Sequence, residues 1–243
     1  MSGRITAATT LRVLQQIRHD PRTIALLLVV PGALLWLLSA MLGELEFNRL
    51  GAPMVGLFPF ISMFLVTSIA MLRERTTGTL ERLMTMPMAK LDLLAGYAIA
   101  FALMATIQAL LTSGVAFLLL DLQTTGSTVL IVFLAVIDAV LGSALGLFAS
   151  AFAKSEFQAV QFMPAFVLPQ ILLCGLLVPR DQMSAALDAV ASVLPLTFAY
   201  DALYAVSVEG AGLGDVADEL AVLLAYIAAG IALAAVTLRR RTA

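Results

Sequence analysis

The chain is 243 residues long, 61% hydrophobic and only 12% charged, with a formal net charge of -2. Soluble domains run at roughly 45–50% apolar and 25% charged residues, so this composition excludes a water-soluble fold and indicates an integral membrane protein. A single cysteine, Cys174, and a single histidine, His19, leave no material for an intrachain disulfide, a Cys-rich or His-based metal site, or a Ser-His catalytic pair inside the membrane.

Ile5, Ala8, Leu11, Leu14 and Ile17 recur at helical spacing, while Arg4, Arg12, Gln15 and Arg18 occupy other faces. Asp20-Pro21 ends that helix, because proline disfavours helix at the residue before it. Residues 1–21 therefore read as a basic amphipathic helix on a membrane surface, either as an anchor alone or also touching a partner. Runs of about 20 apolar residues mark helical spans at 23–43, 53–72, 93–120, 128–153, 157–178 and 216–238. The first is longer than the roughly 7–15 apolar residues of a signal peptide and reads as a retained anchor.

Between the second and third runs lies a polar stretch, 73–92, far longer than the roughly two to eight residues a helix reversal requires. Gly78-Thr79 can start a helix, with the Thr79 hydroxyl as cap and Glu81 in the first turn, where the helix dipole favours a carboxylate. Pro87 stops it. Leu80, Leu83 and Met84 share one face, leaving Glu81, Arg82 and Thr85 on another. A short helix with one apolar face, flanked by Arg73, Glu74 and Arg75, is a handle for a soluble partner.

In the fourth run, Asp138, Gly142, Gly146 and Ser150 repeat every four residues and stack on one helix face, where the glycine pair admits close approach of another helix. An intramembrane carboxylate such as Asp138 is costly and carries either a functional or a packing role. The fifth run holds Gln158, Gln161 and Gln170 with Pro164 and Pro169, which free backbone carbonyls and bend the helix. Gln108 and Thr112 in the third run, and Ser62, Thr67 and Ser68 in the second, are weaker candidates for the same polar lining. In segment 179–215, Asp181 can open a helix with a Met183, Leu187, Val190 and Leu194 stripe. After Pro195 comes an apolar run too short to span, its Phe198, Tyr200 and Tyr204 suited to an interface, so a re-entrant or surface-lying hairpin is expected.

Twelve of the fourteen basic residues fall before the first run, in 73–92, at Lys154 or in Arg239 to Arg241, whereas the alternate loops carry only Arg49 and Arg180 among many carboxylates. Basic residues mark the cytoplasmic side, so both termini and 73–92 are expected there and 179–215 outside.

Arg73-Glu-Arg-x-x-Gly-Thr-Leu-Glu-Arg-Leu-x-x-x-Pro87, Leu176-Leu-Val-Pro-Arg-x-x-Met183 followed by Leu194-Pro-Leu-Thr-x-Ala-Tyr-Asp-Ala-Leu203, and Asp20-Pro-Arg22 resemble the ABC-2 type permeases, membrane subunits of ABC exporters that include the daunorubicin-resistance permeases. The resemblance covers nearly the whole chain in order. It implies an all-α integral membrane fold, one transmembrane domain over 1–243 with six spans, an amphipathic interface helix, a cytoplasmic coupling helix and an extracytoplasmic re-entrant hairpin. Carried over, Gly78 to Leu83 form the coupling helix with Glu81 its polar contact. It also implies a second permease subunit and two cytoplasmic ABC ATPase subunits, which hold the ATP and Mg. This chain itself binds no cofactor and no nucleic acid partner is expected.

The residues support the need for a motor separately. A phosphate-binding loop needs a lysine after glycine, yet Lys90 and Lys154 each follow alanine. The expectation is a permease half of an ATP-driven exporter in a bacterial plasma membrane, moving a hydrophobic or amphipathic compound. Export of a cation or glycan, and an ATP-independent proton-coupled transporter using Asp138, are the alternatives.

Overall fold

The computed structural model describes residues 3–79 and 90–237, and all regular structure among them is helical. The helices are α1 (Gly3–Arg18), α2 (Pro21–Met41), α3 (Glu44–Thr76), α4 (Lys90–Gly114), α5 (Thr128–Ala149), α6 (Glu156–Leu173), α7 (Ala185–Ala191), α8 (Pro195–Tyr204) and α9 (Ala217–Thr237). π turns at Val115–Leu119 and Ala205–Glu209 extend α4 and α8.

Local chemistry sets the ends. Pro21 opens α2 and Pro195 opens α8, the first helical position where proline's missing N–H costs nothing. Glu44 and Glu46 lie in the first turn of α3 and Arg73 and Arg75 in its last, matching the helix dipole at both ends. Ser127 caps α5 by accepting from the Leu130 N–H at 3.4 Å. Gly210, at φ +74, terminates the turn after α8 in a conformation that favours glycine.

α3 sits at the centre, touching α2, α4, α5, α6 and α8, and its most extensive interface is with α5. A Cβ at Gly142 would strike the Phe60 carbonyl oxygen and lie 2.9 Å from its carbon; one at Gly146 would meet the Phe64 carbonyl in the same way. Two glycines one turn apart on α5 thus let the two backbones touch, which is the approach that small residues permit inside a bilayer. Around this contact Val55, Phe60, Met63, Phe64, Ile131 and Leu134 are fully enclosed. Outward faces stay apolar, with Val29 and Trp36 on α2, Leu110 on α4 and Leu233 on α9 exposed, as expected for surfaces that meet lipid.

By length and composition, four described helices are able to cross a membrane: Glu44–Thr76, Asp92–Leu119, Thr128–Ala149 and Ala217–Thr237. The pair Ala185–Ala191 and Pro195–Glu209, bent by 89°, makes a fifth if it is one broken span. The six expected spans are therefore present only in coarser form. In α6 three glutamines, two prolines and Glu156 dilute the apolar character.

Several boundaries also differ. The second span was expected at 53–72, but α3 has 33 residues and is about 50 Å long, since helix continues through polar residues at both ends of the apolar run. The fifth was expected to reach 178, but α6 stops at Leu173, with Cys174 as its cap and Gly175 at φ +101. Asp181 does not open a helix. It lies in a 3-10 turn, and α7 begins only after Ser184.

Candidate functional site

At one end of the bundle the last turn of α3 and the first turns of α4 flank the polar segment, and α1 packs along α4 and reaches the end of α3 through side chains. Thr9, Thr10, Val13 and Ile17 form the buried face of α1. Val13 and Ile17 pack with Met71 of α3 and Leu93, Tyr97 and Phe101 of α4. Thr10 Oγ1 donates to the Gly96 carbonyl at 3.1 Å, and Gly96 has no Cβ to strike Thr9. Against the protein, α1 turns its small threonines toward a glycine of α4 and leaves Leu11, 58% exposed, on the outer side.

Arg12 links all three helices. Its guanidinium donates to both Glu74 carboxylate oxygens at 3.3–3.4 Å, donates to the Tyr97 hydroxyl, and stands 5.6 Å from the centre of the Tyr97 ring. Glu74 is 3% exposed. A buried carboxylate is tolerable only when paired and hydrogen-bonded, so Arg12 fixes α1 to α3 and α4 on the near side of the polar segment. Arg73, one residue earlier, turns the other way. It makes a two-point contact with Glu156 at the start of α6 (2.7 and 3.1 Å) and reaches Asp20 at 3.5 Å. The Arg73 hydrogen bonds hold the Glu156 carboxyl below the usual carboxylate range, while its slight burial pushes the other way.

These placements change the reading of three residues. Arg73, Glu74 and Arg75, expected in a loop, belong to the last turn of α3, and Glu74 faces inward instead of toward a partner. Thr77 caps α3 through the Arg73 carbonyl, Gly78 takes the left-handed conformation at φ +70, and Thr79 follows with its hydroxyl 3.0 Å from that of Thr77. Leu80, Glu81, Arg82, Leu83 and Pro87 lie outside the described residues.

Inside the bundle, Asp138 is 1% exposed and neither carboxylate oxygen has a hydrogen-bond partner. It points at Gly56 of α3, where an added Cβ would strike both Asp138 and Leu203 of α8. Pro53, Leu57, Cys174 and Tyr200 line a space beside it of about 10 Å³, room for one water. Thr67 is buried with its hydroxyl unpartnered, and the Gln108 side-chain carbonyl is unpartnered while its amide reaches the Thr112 hydroxyl at 3.4 Å.

The glutamines of α6 do not share one surface. Gln158 is a cap: its N–H donates to Ser155 at 3.2 Å and its carbonyl accepts from the Lys154 N–H at 2.8 Å. Gln161 is exposed. Gln170 is buried and ties α6 to α8, donating to Phe166 O at 2.9 Å and accepting from the Leu196 N–H at 3.4 Å. Ser62 is half-buried, and Ser150 spends its hydroxyl on the Leu147 carbonyl at 2.6 Å. Arg180, outside the expected site set, holds the bent pair together through Asp188 at 2.9 Å and Asp201 at 3.1 Å.

Comparison with known proteins agrees with this architecture. The family described as "ABC-2 type transporter" matches residues 6–207. The chain is 27% identical over 175 residues to "Probable multidrug ABC transporter permease YbhR" of Escherichia coli, covering 72% of this chain and 48% of that protein. It is 26% identical over 147 residues to "Probable multidrug ABC transporter permease YbhS" of the same organism (60% and 39%). It is 24% identical over 160 residues to "ABC transporter G family member 20" of Dictyostelium discoideum (66% and 22%). The chain thus spans about half the length, or less, of the curated relatives it matches. With a family match over most of its residues, this multi-pass helical chain belongs to the ABC-2 type transporters and is a membrane transport subunit.

Proposed function

We propose that the chain is the permease half of an ATP-driven exporter, pairing with a second permease subunit and taking its work stroke from two ATPase subunits that grip residues 73–92 on the cytoplasmic side. The observation that supports this best is the Arg12, Glu74 and Tyr97 junction. It binds α1, α3 and α4 into one body immediately beside the polar segment, so a displacement applied there moves three helices together. Rigid-body rocking of packed helices is the kind of motion such a joint transmits. The relatives named as multidrug permeases and the scarcity of fixed charges in the apolar runs favour a hydrophobic or amphipathic cargo. Nucleotide and Mg belong to the motor subunits, and this chain contributes the pathway.

Glu81→Lys, and separately Leu80→Asp with Leu83→Asp, leave the chain inserted but uncouple transport from ATP hydrolysis, read as lost efflux and lost cargo-stimulated ATPase activity. Unchanged efflux and stimulation in both would defeat the coupling role. The unpartnered Asp138 carboxyl supports a second reading, proton-coupled transport without a motor. Asp138→Asn separates the two: ATP-driven efflux that survives the change rejects proton coupling, and loss of a pH-driven, nucleotide-free flux supports it.

A further inference from the structure

Of the charged side chains in the last turn of α3, Glu74 is spent on Arg12 and Arg73 on Glu156. Arg75 is not spent. Its Nε and Nη2 are shut away from solvent without a hydrogen-bond acceptor, its Nη1 is left at the surface, and no carboxylate among the described residues pairs with it. The helix dipole accounts for a cation at the end of α3, but not for enclosed N–H groups that nothing accepts. An unpaired buried donor costs its desolvation in full, and a guanidinium cannot escape that cost by losing its proton. Met71, one turn earlier on the same face of α3, packs in a cluster with Leu93 of α4, Leu147 of α5 and Ala234 of α9. Arg75 therefore lies where that protein-facing side of α3 runs out at the end of the bundle, beside the polar segment, and not on a lipid-facing stripe.

A lone cation with one nitrogen open suits a single carboxylate, whose oxygen accepts a charge-assisted bond. A phosphate brings three acceptor oxygens and calls for further cations, which Arg12 and Arg73 do not supply because each already holds a carboxylate. The charge of the whole end points to a carboxylate carried by a protein: segments 1–22, 73–92, 151–156 and 238–243 hold twelve basic residues against five carboxylates, a positive surface that an acidic partner complements. We propose, on the reading that the ATPase subunits grip 73–92, that Arg75 receives an Asp or Glu side chain of the ATPase subunit, an ion pair completed only in the assembled transporter. The pair ties the motor to α3, the helix that touches α2, α4, α5, α6 and α8.

The test uses the 243-residue chain in nanodiscs of phosphatidylcholine with phosphatidylglycerol, and the ATPase subunit that copurifies with it, added back at known concentrations. Arg75→Met raises the dissociation constant about tenfold or more, whereas Lys154→Met, which removes the same charge from an exposed position at the same end, changes it by less than about threefold. Arg75→Lys keeps binding within about threefold of wild type, because a single open contact asks for the charge and not for the planar fork, and it places an amine at the site. On treatment with a water-soluble carbodiimide that amine joins the carboxyl group beside it as an amide, the reagent leaving as its urea. Mass spectrometry of the cross-linked peptide then names the partner, and an Asp or Glu of the ATPase subunit is the result expected. Protection of buried Cys174 from thiol dye certifies that each variant is folded. A dissociation constant unmoved by Arg75→Met, equal losses in Arg75→Met and Lys154→Met, or a cross-link from position 75 to a carboxylate of this chain or to none would each overturn the proposal. So would loss of bound phosphatidylglycerol in Arg75→Met with motor affinity unchanged, which assigns the guanidinium to a lipid phosphate. In all of these the wild-type chain still binds its motor and the coupling reading stands; a wild-type chain that binds no ATPase subunit defeats that reading, and this proposal with it.

Discussion

Replacing Gly142 by alanine adds one carbon at the closest point of the α3–α5 contact. The new Cβ would strike the Phe60 carbonyl oxygen and sit 2.9 Å from its carbon, where ordinary contacts lie at 3.4–4 Å, so α5 has to withdraw by about 1 Å. A gap of that size forfeits about half of each dispersion well of about 0.1–0.2 kcal/mol; over about 50 atom pairs, the contact set of one buried leucine, the loss is about 2.5–5 kcal/mol. Alanine returns about 1 kcal/mol over glycine as a better helix former. The net is a destabilisation of about 1.5–4 kcal/mol, at the upper end of what overpacked cores cost. Gly114→Ala is the matched control, since nothing lies within 4 Å of its Cβ position. Cys174 is the only cysteine and is buried, so a dye that fluoresces on reacting with thiols reports unfolding in a temperature ramp. At roughly 2–4 °C per kcal/mol for a chain of this size, Gly142→Ala lowers Tm by roughly 3–16 °C, whereas Gly114→Ala leaves it unchanged or slightly raised. Equal Tm values for the two variants would refute the claim that the glycine pair sets the spacing of α3 and α5.

Arg12→Met leaves Glu74 buried without its cation. Breaking a fully buried pair costs about 3–5 kcal/mol; with Arg12 one-third exposed the lower half of that range is expected, and Glu74→Gln in the same chain recovers part of it, both read by the Cys174 melt. At the neighbouring exposed pair the effect is small and depends on pH. Arg73 holds the folded-state Glu156 carboxyl low, so its contribution is present above the unfolded pKa and lost as pH falls through the depressed folded value. The Tm gap between wild type and Glu156→Gln, worth about 0.2–1 kcal/mol at neutral pH, therefore closes in acid, and a gap that widens there would contradict the pairing.

How legible these features were differs by the range of the interaction involved. Apolar runs are local and long, and they locate α3, α4, α5 and α9. Hydropathy reports where lipid lies, not where helix ends, which is why the polar turns of α3 at Glu44 and Thr76 escaped it. The Ser155-x-x-Gln158 spacing is a capping box visible in the sequence, and it assigns Gln158 to the start of α6 instead of to a pathway. Positive φ at Gly175 and the stop of α6 at Leu173 had only the glycine itself as a signal. The Arg12, Glu74 and Tyr97 junction joins residues 62 and 85 positions apart, and no periodicity carries such a pairing. Burial of Thr9 and Thr10 against Gly96 belongs to the same class: three small residues mark close helix approach only once their partners are known.

The account rests on work arriving from a separate motor through residues 73–92. Its most direct test is cargo flux in proteoliposomes containing this chain, with and without the ATPase subunits and ATP. Flux only when the ATPase subunits and ATP are both present, abolished by Glu81→Lys, is the result expected; sustained flux by this chain alone, without nucleotide, would contradict it.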